Sequence, residues 1–283
     1  MSKAVLFDST LCVGCGACVE SCKEKNSLPP YDELKPKVMK YRTSYEKNNW
    51  HAGEEEKDLC ETVASVIQER EVDGETIYIK RVCMHCNQPA CESVCPVGAL
   101  VKQDIGAVIY KKELCMGCRY CMLGCPFQVP TYQWFNSVPY VVKCDMCFDR
   151  ISQGNITTCS EVCPTEATIF GDRDELIKIA HERIEEETSK ELFLYGEKEI
   201  GGTGTLLLTE LTPEQLEQLT LPNTLSKEHL PLEKPLPEYT FEVLSKVPHV
   251  VVMGVSGLAG IWWITKRRKE VAEFEKNNYE DKK

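Results

Sequence analysis

Sixteen of the seventeen cysteines in this chain fall into four groups of four, and that pattern limits what the chain can fold around. The groups are Cys12-x2-Cys15-x2-Cys18-x3-Cys22, Cys83-x2-Cys86-x4-Cys91-x3-Cys95-Pro96, Cys115-x2-Cys118-x2-Cys121-x3-Cys125-Pro126 and Cys144-x2-Cys147-x11-Cys159-x3-Cys163-Pro164. Thiols so close together along a long chain suit a shared metal centre better than a disulfide network. A four-iron cube needs four thiolates at the corners of a tetrahedron. A loop with a cysteine at every third position wraps three corners, and its last cysteine is left to reach a neighbouring cube, as in two-cluster ferredoxins. The first and third groups match the ferredoxin run C-x2-C-x2-C-x3-C, whereas zinc sites usually pair two C-x2-C units. All sixteen cysteines are therefore expected to bind iron–sulfur clusters. Gly14, Gly16, Gly117 and Gly124 are expected to let the backbone approach the inorganic sulfides.

The groups form an internal repeat. Between the first and second lies a charged insertion, residues 29–80, in which the β-branched runs around Asp73-Gly74 predict a hairpin. Short apolar runs beside the groups predict short strands. Beyond Gly171, Asp172 is expected to cap a helix over 172–188 with Leu176, Ile177, Ala180 and Ile184 on one face. GGTGTLLLTEL predicts a strand, and Thr212-Pro213-Glu214-Gln215 the start of a short helix. Gly201, Gly202 and Gly204 precede a strand rather than open a helix, which argues against a phosphate loop. Cys60 is read as a packed apolar residue, and His85, between two ligands, as a structural histidine.

Residues 247–265, VPHVVVMGVSGLAGIWWIT, hold no Asp, Glu, Lys or Arg. As a helix they would be ~28 Å long, close to the hydrocarbon thickness of a bilayer. Trp262 and Trp263 suit an interface, and Lys266 to Lys269 follow at once. Two Lys or Arg lie in residues 231–246 and five in 266–281, which predicts a cytoplasmic C-terminus and a cluster domain outside the cytoplasm. His249 is read as an interface residue. Residues 1–8 read as a strand and not as a secretory or twin-arginine leader, so export is expected to proceed in company with a catalytic subunit that carries the signal. The net charge of −11 disfavours nucleic acid as a partner.

Four stretches carry a resemblance to a known family: FDSTLCVGCGAC at 7–18, CMHCNQPACESVCPVGAL at 83–100, CMGCRYCMLGCPFQVP at 115–130 and CSEVCPTEATIFGDRDEL at 159–176. With LYGEKEIGGTGTLLLTEL at 194–211, the sequence resembles the iron–sulfur β subunits of formate dehydrogenase-N and of quinone-linked periplasmic nickel–iron hydrogenases. The resemblance implies four [4Fe–4S] clusters, with group one closing on group four and group two on group three. It assigns Cys12, Cys15, Cys18 and Cys163 to one cluster, and Cys144, Cys147, Cys159 and Cys22 to another. Cys83, Cys86, Cys91 and Cys125 would hold a third, and Cys115, Cys118, Cys121 and Cys95 the fourth.

The expected fold is α+β: two tandem bacterial dicluster ferredoxin-like units with an insertion, plus one C-terminal transmembrane helix. The expected segments are 1–171 for the cluster domain, 172–220 for a helix–strand–helix extension, 221–246 for a proline-rich linker, 247–265 for the span and 266–283 for a charged cytoplasmic tail. No catalytic arrangement is present, so the chain is expected to act as an electron-transfer subunit and not as an enzyme by itself. The resemblance implies a hydrogenase or a molybdenum/tungsten-pterin formate dehydrogenase as catalytic partner, and a quinone-reactive integral membrane subunit on the other side. The alternative is a quinol-oxidising reductase of the polysulfide, nitrite or dimethyl sulfoxide type.

Overall fold

The computed structural model describes residues 2–30, 58–72, 74–133, 140–212, 215–216, 234–239 and 247–280, the last with side chains over 251–272. The chain divides into two units, Met1–Pro237 and Glu238–Lys283. In chain order the first holds β1 (Lys3–Asp8), α1 (Ala17–Lys25), β2 (Ser65–Val72), β3 (Glu75–Val82), α2 (Ala90–Ser93), β4 (Leu100–Lys102), β5 (Val108–Tyr110), α3 (Tyr120–Gly124), β6 (Thr131–Tyr132), β7 (Val141–Val142), α4 (Phe148–Ile151), α5 (Thr158–Glu161), β8 (Thr168–Asp172), α6 (Arg173–Glu186), β9 (Phe193–Tyr195) and β10 (Thr205–Thr209).

The run KAVLFD sits inside a four-stranded sheet of order β8-β1-β10-β9, parallel to β10 and antiparallel to β8. Because side chains alternate along a strand, Ala4 and Leu6 point to one face with Leu206 and Leu208, where Leu176 and Ala180 of α6 cover them. Phe7 and Leu207 point to the other face, against Val63, Ile77 and Ile79. Both faces are buried, so these strands read as continuous apolar runs. The boundary expected at residue 171 falls inside β8, and β10 of the extension lies between β1 and β9. The extension thus shares one sheet with the N-terminus.

The helix expected over 172–188 spans Arg173–Glu186, without a side-chain cap from Asp172. The Asp172 carboxylate instead accepts a hydrogen bond from Lys3 Nζ at 2.9 Å, since Lys3 and Asp172 are register partners on β1 and β8. Asp8 is 2% exposed. Its Oδ2 accepts from Arg183 Nη1 at 2.8 Å and its Oδ1 from Thr10 N at 3.0 Å and Thr10 Oγ1 at 2.6 Å. This holds the turn that leads into Cys12.

The hairpin expected within 29–80 forms from β2 and β3, registered from Ser65↔Val82 to Val72↔Glu75, with Gly74 at φ 83°. Asp73 and residues 31–57 of the insertion lie outside the described residues. Cys60 is 1% exposed in the core beside Val63 and Ile79. At 212–215 Thr212 N donates to Gln215 Oε1 at 3.0 Å and Gln215 N to Thr212 Oγ1 at 3.3 Å, the reciprocal pair expected of a capping box. Most of the expected linker 221–246 lies outside the described residues.

The second unit contains α7 (Val247–Glu280). It continues past Thr265 through the basic run, where Lys266 and Arg267 pair with Glu270 at 4.0 and 3.6 Å. Such i,i+3 and i,i+4 pairs favour helix, so the residues expected as a charged tail are helical as far as 280. Among the described residues no helix is long and apolar enough to cross a membrane. The side chains of 247–250, the first four residues of the expected span, lie outside the described ones.

Candidate iron–sulfur centres

Each cysteine group opens with the same backbone turn. The third residue of each C-x-x-C is left-handed: Gly14 at φ 68°, His85 at 48°, Gly117 at 76° and Met146 at 58°. After the last cysteine of groups two, three and four a second left-handed residue recurs, Gly98 at 61°, Gln128 at 51° and Glu166 at 54°. Backbone N–H groups around such turns converge on a point and favour an anion there. Ala99 N donates to Cys95 Sγ at 3.2 Å and Thr168 N to Cys163 Sγ at 3.4 Å. Burial pushes Cys95 up, but the N–H groups of Val97, Leu100, Ala99 and Gly98 outweigh it, so the thiol lies below its ordinary value. Burial likewise opposes, and Thr168, Thr165 and Ala167 outweigh, in the lowering of Cys163.

Gly14 and Gly117 also make room for neighbouring rings. A Cβ on Gly14 would lie 2.4 Å from the Tyr78 ring, and one on Gly117 2.6 Å from Tyr132 Oη. Each glycine accepts an aromatic lid on its cysteine loop. Gly16 precedes α1 at φ 75° with open space around it, whereas a Cβ on Gly124 would lie 3.0 Å from Val94, so this glycine lets α2 and α3 pack closely.

Three cavities gather the thiols. One, of about 320 Å³, is lined by Cys12, Cys15, Cys18 and Cys163. A second, of about 450 Å³, is lined by Cys22, Cys144, Cys147 and Cys159. A third, of about 340 Å³, is lined by Cys95, Cys115, Cys118 and Cys121. The last set, Cys83, Cys86, Cys91 and Cys125, shows itself through mutual charge: after burial, Cys83, Cys125 and Cys91 are what push Cys86 well up. The packing of elements explains the exchange of cysteines. α1, carrying Cys18 and Cys22, lies against α5, carrying Cys159; α2, carrying Cys91, lies against α3, carrying Cys121.

Burial and neighbouring thiolates push Cys22 and Cys91 up to about 12 and Cys121 to about 11. Burial pushes Cys125 up to about 11 as well. Four thiolates so placed repel one another unless a cationic core lies between them, and such ligands bind only when deprotonated. Among the described residues no group of three or more His, Cys, Asp or Glu closes on a single metal ion. Each donor set, four thiols from two cysteine groups, matches what an iron–sulfur cube requires.

The four sets adjoin one another. Cys18 feels the charge of Cys159 in the next set, and Cys144 that of Cys83 in the set beyond. Cys91 in turn feels Cys121. Sequence reasoning missed three residues at these junctions. Lys80, Lys102 and Lys143 extend toward the cysteine sets, Lys80 among the buried residues of β3. Lys80 had a signal in alternation: Tyr78, Lys80 and Val82 share one face of β3, opposite the core residues Ile77 and Ile79. The glycines at 201–204 dock this region, since Asn87 N donates to Gly202 O at 3.0 Å and Gly204 N to Met84 O at 3.0 Å. His249 lies outside the residues with described side chains.

Two family models match, a 4Fe-4S binding domain over residues 5–25 and a 4Fe-4S dicluster domain over residues 74–173. Together they take in all sixteen grouped cysteines. A protein of Nitratidesulfovibrio vulgaris is 36% identical over 97% of this chain and 70% of its own length. The hydrogenase-2 operon protein HybA of Escherichia coli O157:H7 is 37% identical over 76% of this chain and 72% of its own. The chain belongs to the [4Fe–4S] dicluster family of iron–sulfur electron-transfer subunits. This iron–sulfur subunit is also similar to one of the chains of the anaerobic dimethyl sulfoxide reductase of Escherichia coli K12, at 36% identity over 61% of the chain and 74% of the relative. The iron-sulfur subunit of the nitrate-inducible formate dehydrogenase of Escherichia coli K12 matches at 32% over 71% and 65%. Like its relatives, the subunit transfers electrons and is not the catalytic chain.

Proposed function

We propose that this subunit holds four [4Fe–4S] clusters in a row and relays electrons between a catalytic subunit and a quinone-reactive membrane subunit. The ligand sets are Cys12, Cys15, Cys18 and Cys163; Cys22, Cys144, Cys147 and Cys159; Cys83, Cys86, Cys91 and Cys125; and Cys95, Cys115, Cys118 and Cys121. The observation that carries this reading is that each thiol-lined cavity takes three cysteines from one group and one from another. The clusters supply one-electron redox chemistry, and the chain tunes each by burial and by hydrogen bonds to sulfur. The two end sets lie nearest solvent. Met116 and Leu123, 67% and 84% exposed, flank Cys115, Cys118 and Cys121, and Val13, 59% exposed, sits beside an exposed Cys15. Exposed apolar side chains beside a terminal cluster suit docking of a partner subunit.

The catalytic partner is of hydrogenase or formate dehydrogenase type. The hydrogenase-operon relative aligns over 252 residues, the dimethyl sulfoxide reductase relative over 172, and only the longer alignment is of a length to include sequence well beyond the clusters. Residues 247–265 anchor the chain in the bacterial cytoplasmic membrane, with the clusters on the periplasmic side and the C-terminus in the cytoplasm. Nineteen uncharged residues, exposed Trp262 and Trp263, and the Lys266–Lys269 run support this. Truncation after residue 246 tests the reading on the whole complex. Hydrogen- or formate-dependent dye reduction should persist, while quinone reduction falls at least tenfold. Quinone reduction at the full rate by the truncated complex would contradict the anchored relay.

A further inference from the structure

The cavity lined by Cys22, Cys144, Cys147 and Cys159 differs from the other two in what else lines it: Lys80, His85 and Asp145, whose carboxylate is paired with Lys25 Nζ at 3.0 Å. Lys80 is 8% exposed, and the hydrogen bond its ammonium makes in the structure is to Thr168 Oγ1 at 3.2 Å. Its charge faces Cys159, Cys144 and Cys22 of this set and Cys18 of the next, and these thiolates hold the ammonium above its usual range despite burial. The neighbouring lysines face the set of Cys83, Cys86 and Cys91. Lys102 Nζ donates to the carbonyls of His85 and Gly106, both at 2.7 Å, and Lys143 Nζ to the carbonyl of Cys144 at 2.8 Å.

His85 is 1% exposed. Val108 N donates to its Nδ1 at 2.9 Å, so the proton lies on Nε2. That nitrogen is 3.5 Å from Cys144 Sγ and donates to it. The third cavity has a cation too, Arg119, but that side chain is exposed and screened by water. The first cavity has no charged lining residue among those described.

Reduction adds an electron to a cluster that its thiolates already make anionic. A buried ammonium and an N–H aimed at a ligand sulfur stabilise the added charge and raise the potential. Resting on the four-cluster reading, we propose that Lys80 and His85 raise the reduction potential of the cluster of Cys22, Cys144, Cys147 and Cys159. Lys80 and His85 act through the ligands, as positioning residues.

The test is an anaerobic potentiometric titration of the intact complex followed by electron paramagnetic resonance, with Cys22→Ser marking which signal belongs to this cluster. Lys80→Met should shift its reduction equilibrium against the reduced form by tenfold or more, which is 59 mV for one electron. Lys80→Arg should restore the potential. His85→Leu should lower the same potential, and His85→Gln, which keeps a donor, should lower it less. Under Lys80→Met the cluster of Cys95 should move little. A wild-type complex without four redox transitions would overturn the four-cluster reading itself. Four transitions with this potential unmoved in both Lys80→Met and His85→Leu, or a Lys80→Met that loses iron and is not rescued by Lys80→Arg, would overturn only the role of these two residues.

Discussion

Cys18→Ala and Cys163→Ala are expected to delete the same cluster, although the two cysteines are 145 positions apart in the chain. Cys22→Ala, four residues from Cys18, should delete a different one, shared with Cys159→Ala. The reason is geometric. Cys18 and Cys22 lie on α1, but Cys18 lines one cavity with Cys163 and Cys22 lines another with Cys159. Each variant should lose about 4 of about 16 iron atoms per chain, one cube of four. Paramagnetic resonance and iron analysis of the four variants read this directly. If Cys18→Ala and Cys22→Ala erase the same signal, the clusters close within groups and the exchange of cysteines is wrong. The loss also interrupts the row, so quinone reduction should fall with it.

The second large effect concerns folding. Removal of iron should unfold the cysteine loops while the β8-β1-β10-β9 sheet and α6 persist. The loops carry little structure of their own: β6 and β7 have two residues each, β4 and β5 three, and α2, α4 and α5 four. Helices and hairpins that short are unstable in water without something to pack on. Their interior is thiol-lined space. Emptied of a cluster, such space leaves the loops without packing partners and the buried thiols without a common centre. The core between the sheet and α6 includes Ala4, Leu6, Leu176, Ala180, Leu194, Leu206 and Leu208 and no cysteine, so it does not depend on iron. Hydrogen exchange after anaerobic chelation should show protection lost over 83–147 and kept in β1, β10 and α6. Equal protection in both regions after complete loss of iron would contradict the view that the clusters hold the loops.

Local chemistry was legible in the sequence. The sixteen cysteines, the turn at Gly74, the helix over Leu176 and Ala180 and the Thr212–Gln215 capping box each depend on neighbours within a few positions. What could not be read depends on distant partners. Nothing near β1 tells that its parallel partner is β10, about two hundred residues away. Asp172 has the right residue type for a cap, but its strand partner Lys3 takes the carboxylate. Gly14 and Gly117 were recognisable as necessary, yet the rings of Tyr78 and Tyr132 that require them come from other elements. His85 read as a structural residue because its bond to Cys144 crosses between cysteine groups. Cysteine connectivity came from the family resemblance, since equal spacings permit more than one closure.

The most direct measurement is iron and acid-labile sulfide per chain, together with Mössbauer spectroscopy, on the complex purified without exposure to air. The account predicts about 16 irons and as many sulfides, all in [4Fe–4S] form. About 8 irons, or four zinc ions in place of iron, would contradict it.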